Sequence, residues 1–137
     1  MIEVLSKADP GTLLHLIVRR EDISKNRLDA TPEGEFLQVS CFELAEGKTF
    51  RPHRHVPLQR QSDITQEAWI VIQGTVKAIY YDIDDTVISE QVLKAGDCTI
   101  TFRGGHNYQS LDEGTLIYEV KLGPYLGQEK DRRYIGA

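Results

Sequence analysis

Short stretches of alternating polar and apolar residues, each ended by a turn residue, constrain the fold of this 137-residue chain more than any other feature. Successive side chains of a strand point to opposite faces, whereas a helix repeats its apolar face every three or four residues. Seven segments carry the strand pattern: 34–47, 67–74, 75–84, 86–96, 97–105, 106–111 and 114–124. Strand signals at intervals of roughly 8–12 residues predict an all-β sandwich or barrel. Only residues 19–30 could hold a helical turn or two.

The length and composition predict one soluble domain over residues 1–137, with 1–30 forming the first strands and 124–137 a C-terminal tail. We interpret the charged part of that tail as a solvated face, with a lid or partner-binding segment as the alternative. A net charge of −5 argues against nucleic acid as a partner. No apolar run approaches the ~20 residues that span a membrane. Cys41 and Cys98 form no CxxC pattern, and the first residues do not resemble a signal peptide, so we expect reduced core thiols and a cytoplasmic protein.

One predicted strand, residues 67–74, is apolar on both faces. One face carries Trp69 and Val71, and the other carries Ala68 and Ile70. In an antiparallel sheet one face is normally solvated, so a strand of this kind needs a second layer or a second subunit. The pattern therefore predicts a homodimer.

The segment GKTFRPHRHV, residues 47–56, contains two histidines one residue apart. If the segment is a strand, His53 and His55 point to one face and lie roughly 6.5–7 Å apart, close enough to bind one metal ion. The alternative is a polar strand end with two hydrated histidines. Glu67 opens an apolar strand, where an unpaired carboxylate is costly, and His106 follows a glycine pair. These two residues favour the metal site.

Two other polar residues need a separate interpretation. Asp63 lies in the spacer that follows the histidine pair, and it is the alternative to Glu67 as the carboxylate ligand. His15 has no companion ligands in LLHLIV, and we interpret it as a structural or surface histidine.

These residues resemble the two sequence motifs of the cupins. The first motif is a glycine, five residues, His-x-His, a spacer, a glutamate, six residues and a glycine. Gly47, His53, His55, Glu67 and Gly74 fit it, although the spacer has eleven residues where the family usually has three or four. The second motif is matched more loosely over residues 96–106, with Phe102 where a proline is usual. The matched region is 47–107, and the resemblance implies a double-stranded β-helix, or jelly roll.

The resemblance also implies a metal site formed by His53, His55, Glu67 and His106. Three imidazoles and a carboxylate suit Fe, Mn, Ni, Co or Zn as divalent ions, and affinity alone does not select among them. Four protein ligands would leave open positions on a six-coordinate ion, which is typical of a catalytic site. The candidates for substrate contact are Arg60, Trp69 and Tyr108.

The favoured function is a metal-dependent enzyme, an oxygenase or isomerase, acting on a small polar molecule that is anionic or sugar-like. The alternative is a non-catalytic module that binds or senses a small molecule or carbohydrate. The sequence does not identify the reaction or the catalytic residues, because this fold accommodates many chemistries.

Overall fold

The structure, a computed structural model, describes residues 1–23 and 27–136. The described residues contain these strands: β1 Ile2–Leu5, β2 Leu13–Val18, β3 Leu28–Asp29, β4 Ser40–Cys41, β5 Glu67–Gln73, β6 Thr75–Tyr81, β7 Val87–Lys94, β8 Cys98–Thr101, β9 Gly105–Ser110 and β10 Leu116–Lys121. A 3₁₀ turn covers Arg20–Asp22, and a short helix, α1, covers Gln128–Asp131. The prediction of an all-β chain with little helix is confirmed.

Two antiparallel sheets form the body of the molecule. The larger sheet has the order β1-β2-β8-β5-β10, and the smaller has the order β7-β6-β9. A third pairing joins only β3 to β4. Both main sheets are open, and within the described residues no strand pairs with the outer edge of β9 or of β10. The structure therefore shows a predominantly β architecture without a closed barrel.

Each face of the larger sheet packs against a different apolar layer. Between the two sheets, Val71 of β5 packs with Ala78, Tyr80 and Leu93 of the smaller sheet. On the other face of the larger sheet, residues 28–41 cover a cluster that includes Leu16, Ala68, Ile100 and Phe102. The chain itself therefore supplies a second layer over the first half of β5, which is one of the two alternatives that the sequence allowed. The end of this face is uncovered, since Ile72 is 46% exposed.

The prediction of a continuous strand over 34–47 is wrong, because only Ser40–Cys41 pair in this segment. The chain turns at its start instead, where the Glu35 N–H donates to the Pro32 carbonyl. The Gln38 side-chain amide donates to the carbonyls of Pro32 and Glu35 at 2.9 and 2.6 Å. Side-chain hydrogen bonds of this kind hold the backbone in a local turn and compete with strand pairing.

Residues 42–64, which we call the arm, contain no strand or helix, and every one of them is exposed. A turn at Ala45–Lys48 includes Gly47 at φ 73° and folds the arm back on itself, so that the rings of Phe42 and Phe50 meet at 5.9 Å. The prediction that His53 and His55 lie on a strand is therefore wrong for the single chain. Pro52 lacks an N–H, and no neighbouring strand is present to pair with the segment.

Candidate functional site

A cavity of about 680 Å³ opens between the two sheets, at the side where β9 and β10 end them. Its wall combines residues from β5 and β9 with residues from the C-terminal tail. The lining includes Glu67, Trp69, Arg103, His106, Tyr108, Glu119, Asp131, Arg132 and Tyr134. A concave site with a few convergent polar groups is the usual form of a small-molecule site.

Glu67 and His106 meet across the cavity wall although they belong to different sheets. The Nε2 atom of His106 lies 2.7 Å from Oε1 of Glu67, and the Trp69 indole N–H donates to the same oxygen at 3.1 Å. Burial alone would raise the pKa of Glu67, but the contact with His106, the nearby Lys121 and the Trp69 hydrogen bond together lower it. The carboxylate is therefore ionised near neutral pH and held in one orientation.

Three rings of the site are stacked in order. Trp69 packs on Tyr108 with ring centroids 4.1 Å apart, and Tyr108 packs on His106 at 5.0 Å. Burial raises the pKa of the Tyr108 phenol well above its usual value, so the phenol is neutral. The stack fixes the plane of the His106 ring while its Nδ1 atom, which is buried, has no hydrogen-bond partner among the described residues. A buried nitrogen without a hydrogen-bond partner is energetically costly.

Gly104 allows β9 to begin where it does. Its φ is +76°, and a Cβ placed on it would collide with the backbone carbonyl of Tyr81 and come within 3.3 Å of His15. This conformation and this close approach both require glycine. The sequence-based expectation that glycine turns the chain sharply beside His106 is confirmed at this position.

The structure brings together two of the four predicted ligands, Glu67 and His106. His53 and His55 lie side by side in the arm, with ring centroids 5.5 Å apart. The alternative carboxylate, Asp63, is exposed at the end of the arm. Within the described part of one chain, no group of three or more His, Cys, Asp or Glu side chains is close enough to hold a metal ion.

The predicted substrate contacts are divided in the same way. Trp69 and Tyr108 line the cavity, whereas Arg60 lies in the exposed arm, outside the cavity lining. The arginines at the cavity are Arg103, Arg132 and Arg133. Arg103 is anchored by Glu35, with guanidinium-to-carboxylate distances of 2.7 and 3.4 Å. Arg103 lies two residues after the end of strand β8, and its sequence context contained no signal for the site.

The C-terminal tail also contributes to the site, as the less favoured interpretation of the sequence allowed. The Thr65 hydroxyl donates to the Asp131 carboxylate at 2.6 Å and fixes α1 over the cavity. The Ile135 side chain lies so close to Gly105 that a Cβ there would collide with it. The tail is therefore part of the cavity wall.

His15 is fully buried beneath the site. Its Nδ1 atom accepts from the Thr101 hydroxyl at 3.1 Å, and its Nε2–H donates to the Tyr81 carbonyl at 3.3 Å. Burial lowers the pKa of His15 to about 4, so the ring is neutral. The structural role expected from the sequence agrees with these contacts.

Comparison with family models, curated proteins and solved structures found no match to this chain. In the described residues, no helix has the length and apolar character needed to cross a membrane.

Proposed function

We propose that this chain is a cupin-type metalloprotein and a metal-dependent enzyme of the oxygenase or isomerase class. It acts in the cytoplasm on a small polar, anionic molecule. The observation that carries the proposal is the 2.7 Å approach of Glu67 Oε1 to His106 Nε2 at the wall of a cavity. The two motifs that predicted the site are far apart in the sequence, and they supply these two residues independently.

The donor set fits a divalent transition ion. Two ligand atoms that each lie about 2.1 Å from an ion, at right angles to each other, are about 3 Å apart. The observed distance between Glu67 and His106 is close to that value. His53 and His55 would supply the other two ligands, and Fe, Mn, Ni, Co and Zn all accept imidazole and carboxylate. When bound, such an ion supplies Lewis-acid or redox chemistry.

The protein's own residues would position the reacting groups. Trp69 orients the Glu67 carboxylate through its indole N–H, and the ring stack orients His106. Arg103 has a planar guanidinium that matches a carboxylate or phosphate, and Glu35 holds it at the cavity. We assign the binding of the anionic group to Arg103, since Arg60 lies outside the cavity lining. The ring stack and the tail form part of the cavity wall.

Metal analysis tests this function directly. Untagged protein should contain a divalent transition metal, and the combined changes His53→Ala and His55→Ala should weaken metal binding at least about 100-fold. Glu67→Gln should do the same, whereas Asp63→Asn, which removes the alternative carboxylate, should leave the affinity unchanged. Affinity can be measured by competition with a chromophoric chelator.

The metal should bind to a chain that folds without it. The chelated protein should melt cooperatively, and metal at a hundredfold excess over Kd should add about 3 kcal/mol to the free energy of unfolding. Loss of the cooperative transition on chelation would show that the metal is structural. Wild-type affinity in the double histidine variant would refute the ligand assignment.

The second candidate function is a non-catalytic module that binds a small molecule or carbohydrate. It is favoured by the hydrogen bonding of Glu67, whose carboxylate is already satisfied by His106 and Trp69 in the single chain. A protein with this function would bind its ligand equally well in chelator. A loss of ligand binding on chelation would exclude it.

A further inference from the structure

The arm carries apolar side chains that remain exposed, although Phe42 at its start contacts Phe50 and the Arg27 guanidinium. Its apolar side chains Phe50, Val56 and Leu58 are 54, 79 and 66% exposed. Both of its ends are fixed to the body. At one end, Cys41 of β4 pairs with Leu28 of β3. At the other end, the Gln66 side chain accepts a hydrogen bond from the Leu37 N–H at 2.8 Å. The arm therefore projects from the body as a tethered loop.

Each main sheet has two edge strands, β1 and β10 in the larger and β7 and β9 in the smaller. The β9 and β10 edges are the ones that lie beside the cavity. The outer face of β10 is also apolar and uncovered, with Leu116, Tyr118 and Val120 between 47 and 65% exposed. Unpaired edges of this kind are templates for pairing with another chain.

The solvent-accessible surface area of the single chain is larger than expected for a folded monomer of its mass. The chain exposes 9868 Å². A folded monomer of 15.5 kDa is expected to expose about 7,200 Å². The excess of about 2,700 Å² per chain, or about 5,400 Å² for two chains, corresponds to the upper end of the total area that obligate homodimers bury.

Charge also favours docking of the arm on a body like its own. Residues 47–60 contain four basic residues and no acidic ones, so the remaining residues of this chain carry a charge of −9, with 12 basic against 21 acidic side chains. Asp112 and Glu113 lie exposed in the turn between β9 and β10. The basic segment 47–60 of the arm and the acidic end of the free edges are complementary.

We propose that the protein is a homodimer in which two chains exchange arms, each arm pairing along the free β9 and β10 edges of the other chain. His53 and His55 of the partner subunit then face Glu67 and His106, and the site is complete only in the dimer. In a two-fold exchange, each arm pairs with the free β9 and β10 edges of the other chain, so one type of contact occurs twice. The shared metal site rests on the proposed function, whereas the exchange of arms does not.

Photo-crosslinking tests the exchange without reference to metal. Phe50 is replaced by p-benzoylphenylalanine, chains labelled with ¹⁴N and ¹⁵N are folded together, and the irradiated sample is analysed by mass spectrometry. We expect a covalent dimer with mixed-isotope peptides joining the arm to β9 or β10. The control places the same group at Ile83, which is 49% exposed in the turn between β6 and β7, and it should give monomer only. Links confined to one isotope would show that the arm folds onto its own body, and a monomer in sedimentation would equally overturn the proposal.

Complementation tests the shared site. One variant carries His53→Ala and His55→Ala, the other carries Glu67→Gln and His106→Ala, and Zn²⁺ or Mn²⁺ is the probe. Neither should bind metal alone, but chains folded together should recover about a quarter of the wild-type capacity, because each mixed dimer keeps one intact site. If wild type binds metal and the mixture does not, the sites lie within single chains and this proposal is wrong. If the crosslinks are found and wild type binds no metal, the exchange stands and the proposed function fails.

Discussion

The body and the arm both carry apolar side chains, but they differ in whether those side chains are covered. In the body, β2 and β8 pair over four residues, and Leu16 and Ile100, which lie opposite each other, are almost fully buried. In the arm, Phe50 and Val56 remain exposed. Alternation gives a segment one apolar face, but a strand forms only when a neighbouring backbone accepts its hydrogen bonds. The difference between the two regions is the presence of a partner strand.

A matched pair of leucines gives the largest test of this comparison. Leu16 is 2% exposed in the body, and Leu58 is 66% exposed in the spacer between the histidine pair and β5. Leu16→Ala should lower the free energy of unfolding by about 2–5 kcal/mol, because it leaves a cavity in the core. Leu58→Ala should lower it by less than about 1 kcal/mol in the separated chain, whereas docking of the arm on a partner would make the loss larger. Urea denaturation at a protein concentration low enough to keep the chains separate measures both, and equal losses there would show that the spacer is as tightly packed within one chain as the body.

Two histidines provide the next test, through the pH dependence of stability. Burial lowers the pKa of His15 to about 4, against 6.5 when the chain is unfolded. The unfolded state then binds a proton in this range that the folded state does not, so stability is full above pH 6.5 and falls as the pH drops towards 4. At 1.36 kcal/mol per pKa unit the loss approaches about 3 kcal/mol.

The comparison uses His15→Gln and His53→Gln, with chelator present throughout. The first variant should lose this part of the pH dependence, and the second, at an exposed arm position, should keep it. Denaturation midpoints at pH 7, 6, 5 and 4 give the slopes. Equal slopes for wild type and His15→Gln would mean that His15 can be protonated in the folded protein.

The sequence predicted the body well because its strands find their partners within the chain. Segments 67–74 and 75–84 became strands β5 and β6 with the turn at Gly74 between them, but β5 belongs to the larger sheet and β6 to the smaller, so the hairpin expected from their order in the sequence does not form. The helical turn allowed within 19–30 is present at Arg20–Asp22. The failure at 34–47 has a local cause, since the Gln38 amide caps the turn that replaces the start of the strand. Side-chain contacts of this kind have no periodic signature.

The site could be predicted only in part, for a different reason. Glu67 was recognisable because it is a carboxylate at the start of an apolar strand. His106 was recognisable because it directly follows a pair of glycines. Arg103 and the tail residue Asp131 gave no such signal, since their importance depends on contacts with Glu35 and Thr65 that are distant in sequence. The place of His53 and His55 depends on what the arm packs against, and a pattern within one chain does not contain that information.

The smallest expected difference in stability is between alanine substitutions at two glycines, one of which is strained and closely packed and the other only strained. Gly104 and Gly127 both have positive φ, +76° and +98°. A Cβ at Gly104 would collide with the Tyr81 carbonyl, whereas a Cβ at Gly127 would meet nothing within 4 Å. Gly127→Ala should therefore cost about 1 kcal/mol, from strain alone, and Gly104→Ala about 2 kcal/mol, because Tyr81 must also move. Thermal melts of the chelated variants give the difference.

Since Gly104 precedes His106 by two residues, Gly104→Ala should also weaken metal binding, while Gly127→Ala should not. If both variants lost the same stability and kept wild-type affinity, the position of β9 would not depend on this contact, and the glycine before the histidine would serve only the turn.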